Sequence, residues 1–163
     1  MRRWGNLSGK LILSTNDITW LAFLLVYGVD GCCTIIHRIM LHETLGEASP
    51  RLRMNMDLRN SAEDQSQRML NAIEPGSPLP IHRHQKTSET VVCLRGRLVW
   101  EYYDELERIC TERIELSPNG PIVALNVPQG QWHTVKALES GSVIMEVKDG
   151  AYEPQSPADI LTV

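Results

Sequence analysis

The sequence predicts a single all-β domain, a sandwich or barrel of antiparallel strands preceded by a short helix. Short strand-like runs follow one another from Arg68 to Val147, about 8–12 residues apart, which is typical of such folds. Turn-forming residues separate these runs, and no helical pattern alternates with them. The length of 163 residues suits one domain of ordinary size.

Composition excludes several functional classes. The chain is 42% hydrophobic and 22% charged, which indicates a folded globular protein. Its formal net charge of −4 leaves no basic excess for a phosphate backbone, so we expect no nucleic-acid partner. The longest charge-free apolar run, residues 18–29, is shorter than the roughly 20 residues that a membrane helix needs, and no membrane association is predicted.

The cysteines indicate the compartment. Their spacing fits neither a disulfide framework nor a zinc knuckle; they are Cys32, Cys33, Cys93 and Cys110. We therefore interpret the four cysteines as reduced thiols and expect a cytoplasmic protein.

The chain divides into three regions by pattern. Residues 1–48 are predicted to be an N-terminal extension with one amphipathic helix, residues 49–150 the β domain, and residues 151–163 a C-terminal tail without regular structure. The helix is placed at Thr34–Leu45, where isoleucines recur at helical spacing before Gly46. His37 and His42 lie five apart on it and are interpreted as ordinary surface residues.

A strand with strict alternation follows Pro50. Apolar residues at positions 52, 54, 56 and 58 alternate with polar ones, among them Arg51, Arg53 and Arg59. We interpret the arginine side as solvated or in contact with another subunit, and expect a homodimer through this strand. The alternative is that the arginines bind an anionic substrate in a pocket.

The remaining strands come in short runs separated by turn signals. They are predicted at 68–73, 81–84, 90–94, 98–103, 109–116, 122–127, 133–137 and 143–147. Proline and glycine mark the turns, at 74–76, 95–96, 118–120, 128–130 and 140–141.

Three histidines and a glutamate form the constellation that carries chemistry. His82 and His84 are two apart on one strand, so their imidazoles share a face about 6–7 Å apart. Glu89 follows after a polar turn and His133 begins a later strand. Three imidazoles and one carboxylate suit one divalent transition metal (Fe, Mn, Ni, Zn or Cu) and leave a position open for water or substrate.

The spacing around these residues resembles the two conserved motifs of the cupin superfamily. Gly76, His82-x-His84, Glu89 and Gly96 match the first motif, and Pro128-x-Gly130-x-x-His133 matches the second. The resemblance implies a single cupin, a double-stranded β-helix with a jelly-roll-like barrel, and metal ligands His82, His84, Glu89 and His133. Two departures are a longer loop after Gly120 and Ala137 at the place of the usual asparagine.

A closer resemblance is to the WbuC family of cupin-fold metalloproteins, and it runs from about Ser49 to about Pro154. The residues that carry it beyond the cupin motifs are Ser49–Arg53, Asp64–Ala72, Glu74–Gly76, Lys86–Thr90, Leu94–Gly96 and Trp132–Thr134. It implies a bacterial protein associated with surface-polysaccharide biosynthesis, without implying a particular reaction. Residues 1–33 match nothing in that family.

Strand alternation predicts what else faces the metal. If Glu89 points inward, so do Val91 and Cys93, the latter as a packed thiol or a reactive group. Asn71 and Gln67 are predicted substrate contacts on the strand before the first motif, and Tyr102 is a third.

The leading functional hypothesis is a metal-dependent isomerase or epimerase acting on a sugar or nucleotide-sugar intermediate, with the metal as Lewis acid. A dioxygenase is a second enzymatic possibility, because cupin sites of three histidines and a glutamate also support oxygen chemistry. A non-catalytic, metal-stabilised module that binds a sugar or organic acid is the alternative from another class. No general base beyond the ligands is evident, so the catalytic residues are unknown.

Overall fold

The structure, a computed structural model, describes residues 26–29, 33–36 and 49–163. The chain divides into two units, residues 1–42 and 43–163. In the first unit, strands β1 (Val26–Val29) and β2 (Cys33–Ile36) pair antiparallel.

The predicted N-terminal helix is wrong at its first residues. Thr34, Ile35 and Ile36 lie in strand β2. All three are β-branched, and β-branched side chains fit a strand better than a helix. The rest of the predicted helix, with His37 and His42, lies outside the described residues.

The second unit contains two five-stranded antiparallel sheets. Its strands are β3 (Arg53–Asp57), β4 (Ser66–Ile73), β5 (Ile81–His82), β6 (Glu89–Arg95), β7 (Leu98–Tyr103), β8 (Cys110–Leu116), β9 (Ala124–Val127), β10 (Trp132–Ala137), β11 (Ser142–Asp149) and β12 (Ile160–Leu161). One sheet has the order β12-β5-β10-β7-β8 and the other β3-β4-β11-β6-β9. This is the all-β, jelly-roll-like architecture that the sequence predicts. No helix among the described residues is long and apolar enough to cross a membrane.

The inward faces of the strands change character along their length. Val91, Val135 and Ile144 belong to the buried apolar core between the sheets. Two positions away on the same strands stand Glu89, His133 and Glu146, which line a pocket. One part of the barrel is therefore packed with apolar side chains, and the adjoining part is a polar cavity.

The face assignment of β3 differs from the prediction. The alternation is correct, but Arg53 and Asn55 line the pocket while Met54 on the opposite face is 38% exposed. The polar side of this edge strand points inward because the neighbouring part of the barrel interior is polar. The homodimer stays a prediction.

The tail is more ordered than its sequence predicts. A short 3-10 helix, Pro157–Asp159, leads into β12, which pairs with β5 so that Ile160 lies opposite His82. A strand of two residues is too short to show a period in the sequence.

Candidate metal centre

Three imidazoles converge in the pocket. The register of β5 and β10 places His82 directly opposite His133, and His84 follows just beyond the end of β5. The ligand atoms of the three side chains lie within 4.8 Å of one another. They form a group that could hold a metal ion.

Backbone carbonyls orient two of the rings. The Nδ1 atom of His82 lies 3.1 Å from the carbonyl oxygen of Pro80, and that of His133 lies 2.8 Å from the carbonyl oxygen of Gln131. In the neutral imidazole Nδ1–H donates these bonds, which leaves the Nε2 lone pair facing the pocket. Burial, followed by the charge of His133, lowers the pKa of His82 to about 3, and burial also lowers the pKa of His133. Both rings are thus held in the neutral form that binds metals.

Glu89 supplies a carboxylate beside the imidazoles. Its side chain is 2% exposed, and Oε2 lies 3.0 Å from Nε2 of His84 and 3.9 Å from Nε2 of His133. Burial alone would raise the pKa of Glu89, but His84 and the ammonium of Lys148 lower it to about 2. The group is therefore ionised and ready to bind a cation.

The polar atoms of this cluster fit a metal ion. Nε2 of His84, Nε2 of His133 and Oε2 of Glu89 are buried, and none has a well-aligned hydrogen bond among the described residues. Buried polar atoms that lack a well-aligned hydrogen bond are rare and require an explanation. Nitrogen and carboxylate donors converging on one point match the preferences of borderline divalent metals.

Trp100 forms the wall behind the cluster. Its indole stacks on His133 with ring centroids 5.3 Å apart and an interplanar angle of 14°. Cys93, also predicted to point inward, is 1% exposed within the apolar core, and it does not line the pocket. The structure therefore favours the packed-thiol interpretation of Cys93.

Two of the three predicted substrate contacts lie at the pocket. Asn71 and Gln67 both line the cavity, whose volume is about 730 Å³, and Nε2 of Gln67 donates to the carbonyl oxygen of Ala151 at 3.3 Å. Tyr102 does not line the cavity and packs against the core. On the same face of β7 it is Trp100 that lines the cavity, and the role of Tyr102 in substrate binding stays a prediction.

Sequence reasoning missed an ion-paired set on β11. The Nζ atom of Lys148 lies 3.2 Å from Oε2 of Glu89 and 3.5 Å from Oε2 of Glu146. Burial raises the pKa of Glu146, and the adjacent Glu89 carboxylate adds to that effect. Glu146 and Lys148 follow the inward-facing Ile144 at intervals of two residues, so the strand period could have placed them on the inward face, although not beside Glu89.

The tail holds the segment that carries His84. Oδ1 of Asp159 accepts hydrogen bonds from Nε of Arg83 at 3.2 Å and from Nε2 of Gln85 at 2.7 Å, on either side of His84. The carbonyl oxygen of Asp159 also accepts from the backbone N–H of Arg83 at 3.2 Å. Asp159 thereby binds the residues on both sides of a candidate ligand and restrains the backbone at Arg83.

Replacing Asp159 by Ala should weaken metal binding about 10-fold, because outer residues that orient ligands commonly contribute this much. Competition with a chromophoric chelator measures the affinity. The control is Glu153→Gln. It removes the exposed ion pair between Glu153, which lies on the same tail as Asp159, and Lys86, and it should leave the metal affinity unchanged. Equal metal affinities for the Asp159 variant and the wild type would show that the contacts of Asp159 do not contribute to metal binding.

Comparisons with known proteins agree with the fold. Residues 36–116, just under half of the chain, match a family model described as "Domain of unknown function (DUF6016)". No curated protein matches. Three solved structures each have a TM-score of 0.50: KdgF from Halomonas sp., an oxalate oxidase in complex with the substrate analogue glycolate, and the capsular polysaccharide assembling protein CapF from Staphylococcus aureus.

Because the identities are low and the coverage is partial, these matches are evidence for the fold alone. Sequence identities are 16%, 16% and 19% in that order, over 64%, 66% and 67% of this chain. The matched part is 84% of KdgF but only 55% of the oxalate oxidase and 29% of CapF. The predicted cupin fold is confirmed. The WbuC-type assignment stays a prediction.

Proposed function

We propose that this chain is a metal-dependent cupin enzyme that holds one divalent transition metal with His82, His84, Glu89 and His133. The observation that carries the proposal is the convergence of three imidazoles at one side of a polar pocket, beside the buried carboxylate of Glu89, with ligand atoms that make no well-aligned hydrogen bond among the described residues. An ion bound there supplies a Lewis acid that polarises a substrate carbonyl or hydroxyl oxygen.

The protein's own groups beside the ligands suit an isomerisation or epimerisation. Such a reaction moves a proton, and Glu146 and Lys148 place a carboxylate and an ammonium on the pocket wall next to Glu89. Trp100 stacks on His133 and separates the ligand cluster from the apolar core. The carboxylate of Glu146 is the candidate for accepting the proton when it leaves the substrate carbon and for returning it afterwards, and the ammonium of Lys148 stabilises the charge beside it.

The substrate we propose is a sugar or nucleotide-sugar intermediate of bacterial surface-polysaccharide biosynthesis. A cavity of about 730 Å³ is of the size that binds small molecules. The polar side chains of Asn71 and Gln67 offer hydrogen bonds to hydroxyl groups. The WbuC-like sequence motifs support the pathway, and one fold relative is a capsular polysaccharide assembling protein.

Elemental analysis of the purified chain, before and after reconstitution, tests the metal. We expect about one equivalent of a transition metal per chain after reconstitution. No bound metal in either sample would refute the site. A screen of sugar nucleotides with the loaded protein, followed by NMR for epimerised or isomerised product, tests the reaction.

The same samples separate the alternatives. Ligand affinity that survives exchange for a catalytically inert metal, without turnover of any sugar, indicates a binding module. Oxygen consumption coupled to loss of the substrate indicates a dioxygenase.

A further inference from the structure

Four cationic side chains line the pocket, and the structure pairs three of them with carboxylates. The pairs are Arg83 with Asp159, Lys86 with Glu153 and Lys148 with Glu89, at nitrogen–oxygen distances of 3.2, 2.9 and 3.2 Å. Charges paired in this way are largely neutralised toward a ligand. The fourth cation is Arg53.

Arg53 has no acidic partner within ion-pair distance among residues 49–163. Its Nη1 atom donates one hydrogen bond, to the carbonyl oxygen of Pro78 at 3.0 Å. A guanidinium carries five N–H donors, so most of its donor capacity is unused. Partial burial, with repulsion from Arg51 as the second cause, lowers the pKa of Arg53, as expected for a cation that lacks a counter-charge.

The position of Arg53 relates it to the metal cluster. It is bound to the carbonyl of Pro78, and His82 is bound to the carbonyl of Pro80, two residues further along the same segment. Two residues span at most about 7 Å of backbone. The Arg53 guanidinium and the His82 imidazole line one cavity, at carbonyl groups that are two residues apart.

We propose that Arg53 binds an anionic group of the substrate, a carboxylate or a phosphate, while the rest of that molecule reaches the histidine cluster. The inference rests on the proposed function and narrows its substrate class to hydroxylated small molecules with one anionic end, such as sugar acids and sugar phosphates. A planar guanidinium matches both anions because it donates two parallel hydrogen bonds.

Binding of matched probes to the reconstituted, metal-loaded protein tests this. D-glucuronate and glucose 6-phosphate carry the two anions, D-glucose carries neither, and isothermal titration calorimetry measures each affinity. We expect the preferred anion to bind the wild type about 10- to 100-fold more tightly than glucose, as charge-assisted hydrogen bonds contribute. The affinities for glucuronate and glucose 6-phosphate then distinguish the carboxylate from the phosphate.

Three variants locate the effect. Arg53→Gln should reduce the anion's advantage over glucose to near zero, and Arg53→Lys should retain part of it because the charge remains. The control Arg51→Gln removes the neighbouring exposed arginine and should bind as the wild type does. Thermal melts of all variants establish that the barrel is folded.

The proposal is overturned if neither anion binds the wild type better than glucose, or if Arg53→Gln keeps the full preference. An equal loss in Arg51→Gln would also overturn it, because the effect would then be one of general surface charge. Metal content of the same samples keeps the two ideas apart. If the protein holds no metal even after reconstitution but still selects the anion through Arg53, the anion site is supported and the proposed metal function is refuted.

Discussion

His133→Leu should reduce bound metal from about one equivalent per chain to background and abolish turnover. The variant removes a ligand whose side chain is 1% exposed and whose Nε2 makes no hydrogen bond among the described residues. Changes to residues outside the ligand set already lower metal affinity about 10- to 100-fold, so loss of a ligand should cost at least about 100-fold. Leucine is similar in size and can pack against Trp100, so the barrel should keep its fold.

Elemental analysis and chelator competition measure the loss. His42→Leu is the matched control, since it replaces a histidine that the sequence assigns to an ordinary surface position, and it should keep full metal content. Thermal unfolding of the metal-free proteins checks that His133→Leu is folded. A folded His133→Leu with wild-type metal content would contradict the proposed ligand set.

Gly96→Ala should destabilise the barrel by about 3 kcal/mol or more, from backbone strain and steric overlap together. Gly96 has a φ of +74°, in the left-handed region that residues with a Cβ rarely adopt. An added Cβ would also lie 2.9 Å from the Cα of Ser142 and would overlap its Oγ. Ser142 cannot easily move, because its Oγ lies 2.7 Å from the carbonyl oxygen of Glu139 and 3.1 Å from that of Arg97.

Gly130→Ala separates the two causes. Gly130 has a similar φ of +79°, but no atom lies within 4 Å of a Cβ placed there. We expect a cost of about 1 kcal/mol from strain alone. Urea unfolding measures both variants. Equal losses would show that contact with Ser142 contributes nothing.

The strands could be predicted because each leaves a local signal. β7 has the predicted bounds, Leu98–Tyr103, since its alternation lies between clear turn signals. The face of β3 could not be assigned in the same way. Alternation separates Arg53 from Met54 but does not say which of them points inward, and that depends on the polarity of the cavity that β3 adjoins.

The residues of the site also differ in how far the sequence predicts them. His82, His84 and Glu89 are close in sequence, so their spacing alone indicated a metal site. Lys148 and Asp159 come from distant strands and turns, and only the paired sheets bring them to the cluster. Arg53 shows the same limit. Its charge was visible in the sequence, whereas its lack of an acidic partner is a property of three-dimensional packing.

The pairing of β12 with β5 bears on the order in which the protein is made. His82 lies between two strands that are synthesised later, β10 with His133 and β12 with Ile160. Domains begin to fold while the ribosome is still extending the chain, from the N-terminal side onward. The histidine pair exists only after residue 133 has been translated, and the restraint from Asp159 arrives later still. We therefore expect the protein to acquire its metal late, largely after translation. Pulse labelling of the protein, with a metal chelator present only during synthesis, tests this, because the labelled chains should still be able to bind metal once the chelator is removed.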